Sequence, residues 1–256
     1  MKLNKIGLLL SVLGLLVLGG SVALNFLLYG QVKKYYVELN QTRLDPLGLK
    51  YFSDTPEPIP PETTRVVFFG DSRAAGWPAP DADGYAFINR GISSQTTAQT
   101  LQRFDAHVGG VQPDMVVIQV GVNDLKTIPL FPGRREAIMA ETRNNLDQMI
   151  KASQELGAIV IVSTILPVGE VPLARRPVWS DDVAIAVDEI NEYIATLADE
   201  NVIVFDGFAI LADDQGMMQK AHRKDELHFN DQGYQLLNQT FVELLGSVEL
   251  LGSVER

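Results

Sequence analysis

Between residues 65 and 205 five short runs of β-branched, aliphatic and aromatic residues recur, each ending close to a small or polar residue. They are residues 65–69 (RVVFF) before Gly70, 86–89 (AFIN) near Gly91, 115–120 (MVVIQV) before Gly121, 158–162 (AIVIV) before Ser163 and 202–205 (VIVF) before Asp206. Runs this short and this apolar suit strands buried on both faces, as in a parallel sheet. Helical patterns separate them at residues 96–108, 135–156 and 182–198, and a last one follows at 231–245. Strand–helix alternation predicts right-handed crossovers and an α/β fold, a three-layer α/β/α sandwich. In such sheets ligands bind beyond the carboxyl ends of the strands. Ser72, Gly91 and Asn123 lie at the ends of the first three runs, so three positions distant in sequence are expected on one rim.

Those positions carry chemistry. A serine hydroxyl is a weak nucleophile and needs a base within hydrogen-bond reach. Gly70-Asp71-Ser72 sits where the first run ends, a place that exposes a side chain at the rim. Of the three histidines, His107 reads as a helix-end residue facing solvent or the helix terminus. His222 lies among Lys220, Arg223 and Lys224, which reads as a surface loop. His228 differs, because Asp225 precedes it by three residues and a helical pattern follows. A carboxylate at that spacing can accept the Nδ1 proton, fix the tautomer and stabilise the imidazolium. Acyl transfer also needs donors for a developing oxyanion. Gly91 permits close backbone approach, so its N–H can serve, and Asn123 offers a neutral side-chain amide. Each feature taken singly has a plainer reading: a helix cap for Asp71 and Ser72, a helix entry for His228, a turn for Gly91 or Asn123. Their convergence on one rim favours function.

Composition excludes several classes. A formal net charge of −11 with no cluster of Lys and Arg argues against a nucleic-acid partner. The absence of cysteine removes disulfides, thiol nucleophiles and thiolate metal sites. The loop after the first run lacks the Gly-rich cradle that a bound phosphate needs, so a nucleotide cofactor is not expected.

The N-terminus reads separately. Residues 6–29 are apolar apart from Ser, Gly and Asn25, long enough as a helix to span a hydrocarbon core of about 30 Å. Residues 1–30 therefore read as a signal anchor, or as a signal peptide cut after Ser21-Val22-Ala23, with the rest of the chain extracytoplasmic. Lys2 and Lys5 balance Lys33 and Lys34, so the positive-inside bias is weak. Residues 31–64, with an amphipathic stretch at 32–39 and prolines within 54–61, read as a spacer, and 65–256 as the catalytic domain. The C-terminal repeat LLGSVE, at 244–249 and 250–255, reads as an extension of the last helix.

Four segments together, Phe69-Gly-Asp-Ser72, Asn89-Arg-Gly-Ile-Ser93, Gly121-Val-Asn-Asp124 and Asp225-Glu-Leu-His228, resemble the ordered blocks of the SGNH (GDSL-like) hydrolases. Residues 89–104 and the loop 165–170 look similar to platelet-activating-factor acetylhydrolase catalytic subunits and to bacterial lysophospholipase and thioesterase relatives. The resemblance implies a flavodoxin-like sheet of order 2-1-3-4-5 and a serine esterase working through an acyl-enzyme without metal or cofactor. On that pattern Ser72, Asp225 and His228 form the triad, and Ser72, Gly91 and Asn123 the oxyanion hole. Many members carry Leu where this chain has Arg73, a cation beside the nucleophile that would tune substrate preference. Placement at a membrane points to lipid esters or O-acylated carbohydrate. Acyl transfer to a sugar hydroxyl and a catalytically inactive binding module are the alternatives. Trp77, Pro78 and Trp179 fall in loops of the predicted rim, as pocket lining or as local packing. Arg134, Arg135, Arg175 and Arg176 read as solvated ends or as contacts to an anionic head group.

Overall fold

The computed structural model describes residues 4–52 and 59–254. The chain separates into two compact units, residues 1–48 and 49–256.

In the first unit a single helix, α1 (Lys5–Leu44), is capped by Asn4, whose side chain accepts the Ile6 N–H. The apolar run and the polar stretch after it form one continuous helix, because no Gly–Pro pair or other breaker stands between Gln31 and Leu44. Residues 31–44 of the expected spacer are therefore helical. Most of its proline-rich part, residues 53–58, lies outside the described residues.

The second unit runs β1 (Thr64–Gly70), α2 (Ser72–Ala75), β2 (Tyr85–Gly91), α3 (Thr97–Gln102), α4 (Phe104–His107), β3 (Met115–Gln119), α5 (Val122–Leu125), α6 (Arg135–Glu155), β4 (Ile159–Ser163), α7 (Asp182–Ala195), β5 (Val202–Phe205), α8 (Gly207–Leu211) and α9 (Asp231–Val254). The strands form one sheet of order 2-1-3-4-5, parallel throughout. It is the three-layer α/β arrangement that the alternating runs predict.

Why the layers hold is visible residue by residue. Side chains of a strand alternate between faces. Val67 and Phe69 of β1, Val116 and Ile118 of β3, and Val160 and Val162 of β4 join Leu146, Met149, Val187 and Ile190 of α6 and α7 in one core. Their neighbours Val66, Phe68, Val117 and Ile161 join Leu237, Phe241 and Leu245 of α9 in the other. Both faces are covered, which is why the runs read as continuously apolar.

The expected helix at 96–108 divides into α3 and α4 at Arg103, whose side chain turns inward rather than to solvent. Trp77, expected at the rim, is buried in the α9-side core and donates its indole N–H to Asn238 Oδ1 (2.6 Å). The C-terminal repeat continues α9 as far as Val254.

Candidate active site

The first turn of α2 begins at Ser72, immediately beyond the end of β1. Asp71 caps it, accepting the Arg73 N–H on Oδ1 (2.9 Å). Gly70 is required where the chain leaves the sheet, since a Cβ there would lie 1.8 Å from the Gln119 carbonyl oxygen. The hydroxyl of Ser72 is thereby held at the carboxyl edge of the sheet.

His228 approaches from the segment before α9, with Nε2 2.9 Å from Ser72 Oγ. Its Nδ1 lies 2.8 Å from Asp225 Oδ2 and 2.9 Å from Oδ1. The segment is closed on itself: the amides of Lys224 and Asp225 donate to the His228 carbonyl, and those of Leu227 and His228 donate to Asp225 Oδ1. Partial burial pulls the Asp225 pKa upward, but these two amides and the imidazole outweigh it and hold the carboxyl below its usual value. An ionised carboxylate can only accept, so Nδ1 carries the proton and Nε2 faces the serine as acceptor. Ser72, His228 and Asp225 thus form a continuous hydrogen-bonded relay across residues far apart in sequence.

The expected donors divide. Asn123, in α5, is buried and gives one amide hydrogen to the Gln95 carbonyl (2.9 Å), leaving the other. The amide of Ser72, in the first turn of α2, has no intrahelical acceptor. Gly91 differs from expectation, because its N–H is committed to Asn89 Oδ1 (2.9 Å). A Cβ at Gly91 would lie 2.1 Å from Ala75 N, so glycine is needed here to let α2 pack on β2. A position that sequence reasoning missed is Ser94, whose φ of 67° is left-handed and whose amide has no acceptor among the described residues. Ser93 beside it lines the serine's cleft, and Gln95 on its other side anchors Asn123.

Arg73 also departs from expectation. It is fully buried and faces away from the cleft, donating to the carbonyls of Leu227 (2.8 Å), Leu166 (2.5 Å) and Pro167 (3.0 Å). Burial lowers its pKa to about 10, with Asp71 opposing, and it stays charged at neutral pH. Arg103 is its counterpart beneath the other half of the site, donating to the carbonyls of Gly70 (2.9 Å) and Arg90 (2.8 Å) and to Gln95 Oε1 (2.5 Å). His107, expected at the surface, is buried with Nδ1 3.1 Å from Arg103 Nη1. His222 lies in a half-buried turn, Lys220–His222, away from the relay. Arg135 pairs with Asp182 and Glu189, and Arg175 with Glu226.

The cleft at Ser72 encloses about 540 Å³ and is lined by Ser93, Lys224, Asn230, Asp231 and Tyr234 beside the relay. Among the described residues no group of His, Asp and Glu could hold a metal ion.

The model of the GDSL-like lipase/acylhydrolase family matches residues 68–236, about two thirds of the chain and about four fifths of the sheet-bearing unit. The chain belongs to this family. It is a GDSL-type ester hydrolase. Solved structures share the fold of the hydrolase. A Streptococcus pneumonia protein provisionally assigned as a platelet activating factor is 22% identical, with a TM-score of 0.65 over 83% of this chain and 99% of its own. A GDSL-like lipase from Bacteroides thetaiotaomicron is 23% identical, with a TM-score of 0.58 over 84% and 97%. An acetylxylan esterase from Geobacillus stearothermophilus is 19% identical, with a TM-score of 0.51 over 70% and 93%. Among curated proteins none matches the hydrolase.

Proposed function

We propose that this GDSL-family hydrolase cleaves short acyl esters of polar alcohols, foremost O-acylated carbohydrate, with Ser72 as nucleophile, His228 as base and Asp225 as its orienting carboxylate. The observation that carries the reading is the relay from Ser72 Oγ through His228 to Asp225, at 2.9 and 2.8 Å. Ser72 Oγ attacks the acyl carbonyl carbon while its proton passes to His228 Nε2. The carbonyl oxygen becomes an oxyanion, and the amide of Ser72, the free amide hydrogen of Asn123 and the amide of Ser94 are the donors we assign to it. The proton on Nε2 then goes to the departing alcohol oxygen as the ester C–O bond breaks. Water, deprotonated by the same imidazole, attacks the acyl-enzyme; collapse returns the proton to Ser72 and releases the acid.

Support for a polar alcohol comes from the lining of the cleft. Lys224, Asn230, Asp231 and Ser93 line the cleft together with Ala75, Phe229 and Tyr234, and burying a long acyl chain against its polar side would desolvate those groups without replacing their partners. The acetylxylan esterase among the fold relatives is consistent with this substrate class. We further assign residues 65–256 as the catalytic domain and α1 as a membrane anchor that leaves this domain outside the cytoplasm.

The test is hydrolysis of p-nitrophenyl esters, from acetate to decanoate, by the full chain in detergent and by Ser72→Ala. Activity highest on acetate and lower by at least about 10³-fold in Ser72→Ala supports the reading. Full activity in Ser72→Ala overturns the nucleophile, and a preference for decanoate overturns the substrate class.

A further inference from the structure

Between β4 and α7 the chain spends residues 164–181 in a loop without strand or α-helix, holding a turn at 173–175 and a short 3-10 turn, Arg176–Val178. A loop this long in a compact α/β domain usually has a task of its own. It starts at the carboxyl end of β4, so it belongs to the same rim as Ser72. It is also clamped to the segment carrying the triad carboxylate. Gly169 N–H donates to the Glu226 carbonyl (2.8 Å), Arg175 pairs with the buried Glu226, and Arg223 lies 3.7 Å from Glu170. A Cβ on Gly169 would stand 3.4 Å from Glu226 Cα and 3.6 Å from the Asp225 carbonyl, so the loop packs directly against that segment.

Beyond the clamp lies a second cleft of about 550 Å³, lined by Glu170, Arg176, Trp179, Ser180, Asp181 and Met217. Glu170 of this cleft lies 3.7 Å from Arg223, and the next residues, Lys224 and Asp225, line the catalytic cleft. Trp179 is half-buried: part of its indole packs on the α6–α7 core and the rest faces the cleft, its N–H unpartnered among the described residues. The other tryptophan, Trp77, is wholly interior.

We propose that this second cleft is a sugar-binding subsite, in which a neutral pyranose or furanose residue of an oligosaccharide stacks on Trp179 while another residue of the same oligosaccharide presents its ester to Ser72. An indole offers a flat apolar face and one donor, which suits the face of a sugar ring and its rim of hydroxyls. Glu170 and Asp181 accept from hydroxyls, and Arg176 and Ser180 can donate to them. Two carboxylates beside one guanidinium disfavour a phosphate or other anionic ligand. The same carboxylates disfavour an acyl chain, which would strip them of water without replacing it. The inference rests on the esterase reading only in that the ester is placed at Ser72.

Two arms keep the failures apart. In the Ser72→Ala full chain in detergent, tryptophan fluorescence is titrated with xylohexaose, cellohexaose and chitohexaose, an assay independent of catalysis. A saturable change with at least one of them, absent in Ser72→Ala/Trp179→Ala and kept in the doubly substituted Ser72→Ala/Asp181→Asn at weaker affinity, supports the subsite. No saturable change with any of the three at millimolar sugar overturns it. In the second arm kcat/KM is compared on O-acetylated xylohexaose, p-nitrophenyl acetate and p-nitrophenyl decanoate. Trp179→Ala is expected to lower the oligosaccharide-to-acetate ratio by at least about tenfold, through KM, and Trp179→Phe to restore most of it. An unchanged ratio overturns the subsite, and a selective loss on decanoate reassigns the cleft to an acyl chain. If none of the esters is cleaved, the esterase reading fails while the fluorescence arm still decides the subsite.

Discussion

At residue 73 a charge lies next in sequence to Ser72 and yet does not line its cleft. A charged side chain reads as exposed because so few are fully buried. Arg73 reverses that rule by finding three carbonyl acceptors, one of them on Leu227, the residue before His228. It thus joins the helix that carries Ser72 to the segment that carries His228. Leu in its place would fill similar apolar space but leave three buried carbonyls without donors, each worth about 1–3 kcal/mol. Arg73→Leu is therefore expected to lower the melting temperature and to lower kcat by about ten- to a hundredfold with little change in KM, as small displacements between nucleophile and base do. Arg73→Lys, which keeps the charge and one or two of the bonds, is expected to recover part of kcat; equal loss in both variants would mean that the fork geometry alone matters. Gly91 makes a complementary case. Its N–H is closed off by Asn89, and a methyl group there would press on the backbone of Ala75. Gly91→Ala is expected to destabilise the domain by about 1–3 kcal/mol and to remove activity by moving α2. Purified variant assayed on p-nitrophenyl acetate, beside a thermal melt, checks both. The placement of Ser72 and Asn123 at strand ends and the pairing of Asp225 with His228 are legible because strand ends and short spacings announce such positions. Gly91's hydrogen bond and the left-handed backbone of Ser94 are not, since both depend on which neighbour arrives from elsewhere in the chain.

Elements show the same division between local and long-range causes. The strands fall within one or two residues of the apolar runs, because a strand buried on both faces leaves a compositional trace along its whole length. The helix at 96–108 does not survive as one piece, since Arg103 is drawn under the sheet edge by Gly70 and Arg90, partners that no local pattern discloses. The junction between α3 and α5 carries a pH dependence. Asp124 is buried and accepts from Thr97 N–H (2.9 Å) and Thr97 Oγ1–H (2.7 Å). Burial raises its pKa to about 6 against these hydrogen bonds. The folded chain then holds a proton that the unfolded chain, with an ordinary aspartate, has already lost. Stability from this group is complete below about pH 4 and declines as pH rises through about 6, with a total of the order of 3 kcal/mol. Asp71, raised by burial despite Arg73, acts in the same direction. Thermal melts across this interval should show the melting temperature falling as pH rises, and Asp124→Asn should flatten the slope. A slope unchanged by Asp124→Asn would place its origin in another group.

For the whole molecule the decisive question is how α1 is used. At about 1.5 Å per residue its 40 residues reach about 60 Å, twice the hydrocarbon thickness of a bilayer. Only the first part is apolar; from Gln31 onward Lys33, Lys34, Glu38 and Arg43 interrupt it. Within the apolar part Leu9 is 69% exposed and Phe26 74%, and among the described residues none of α1 is buried. Apolar surface of this extent is not stable in water, which makes α1 a candidate membrane anchor or signal sequence. The remaining turns continue as helix through the amphipathic stretch of the expected 31–64 spacer as far as Leu44. If residues 1–30 are an uncleaved anchor, the full chain should remain in the membrane pellet after an alkaline wash, and a chain beginning at residue 31 should be soluble and as active on p-nitrophenyl acetate. Cleavage after Ala23 would instead give a soluble mature chain beginning at Leu24, visible as a mass lower by the first 23 residues. Protease added to sealed cells distinguishes the orientation: digestion of the catalytic domain from outside places Ser72 among envelope carbohydrates, and protection would move its substrates to the cytoplasm. Anchorage, where the pellet assay shows it, matters for substrate choice. An enzyme so held would meet polymer that is itself fixed in place, and the sugar contact proposed at Trp179 would then lengthen each encounter where diffusion of the enzyme cannot.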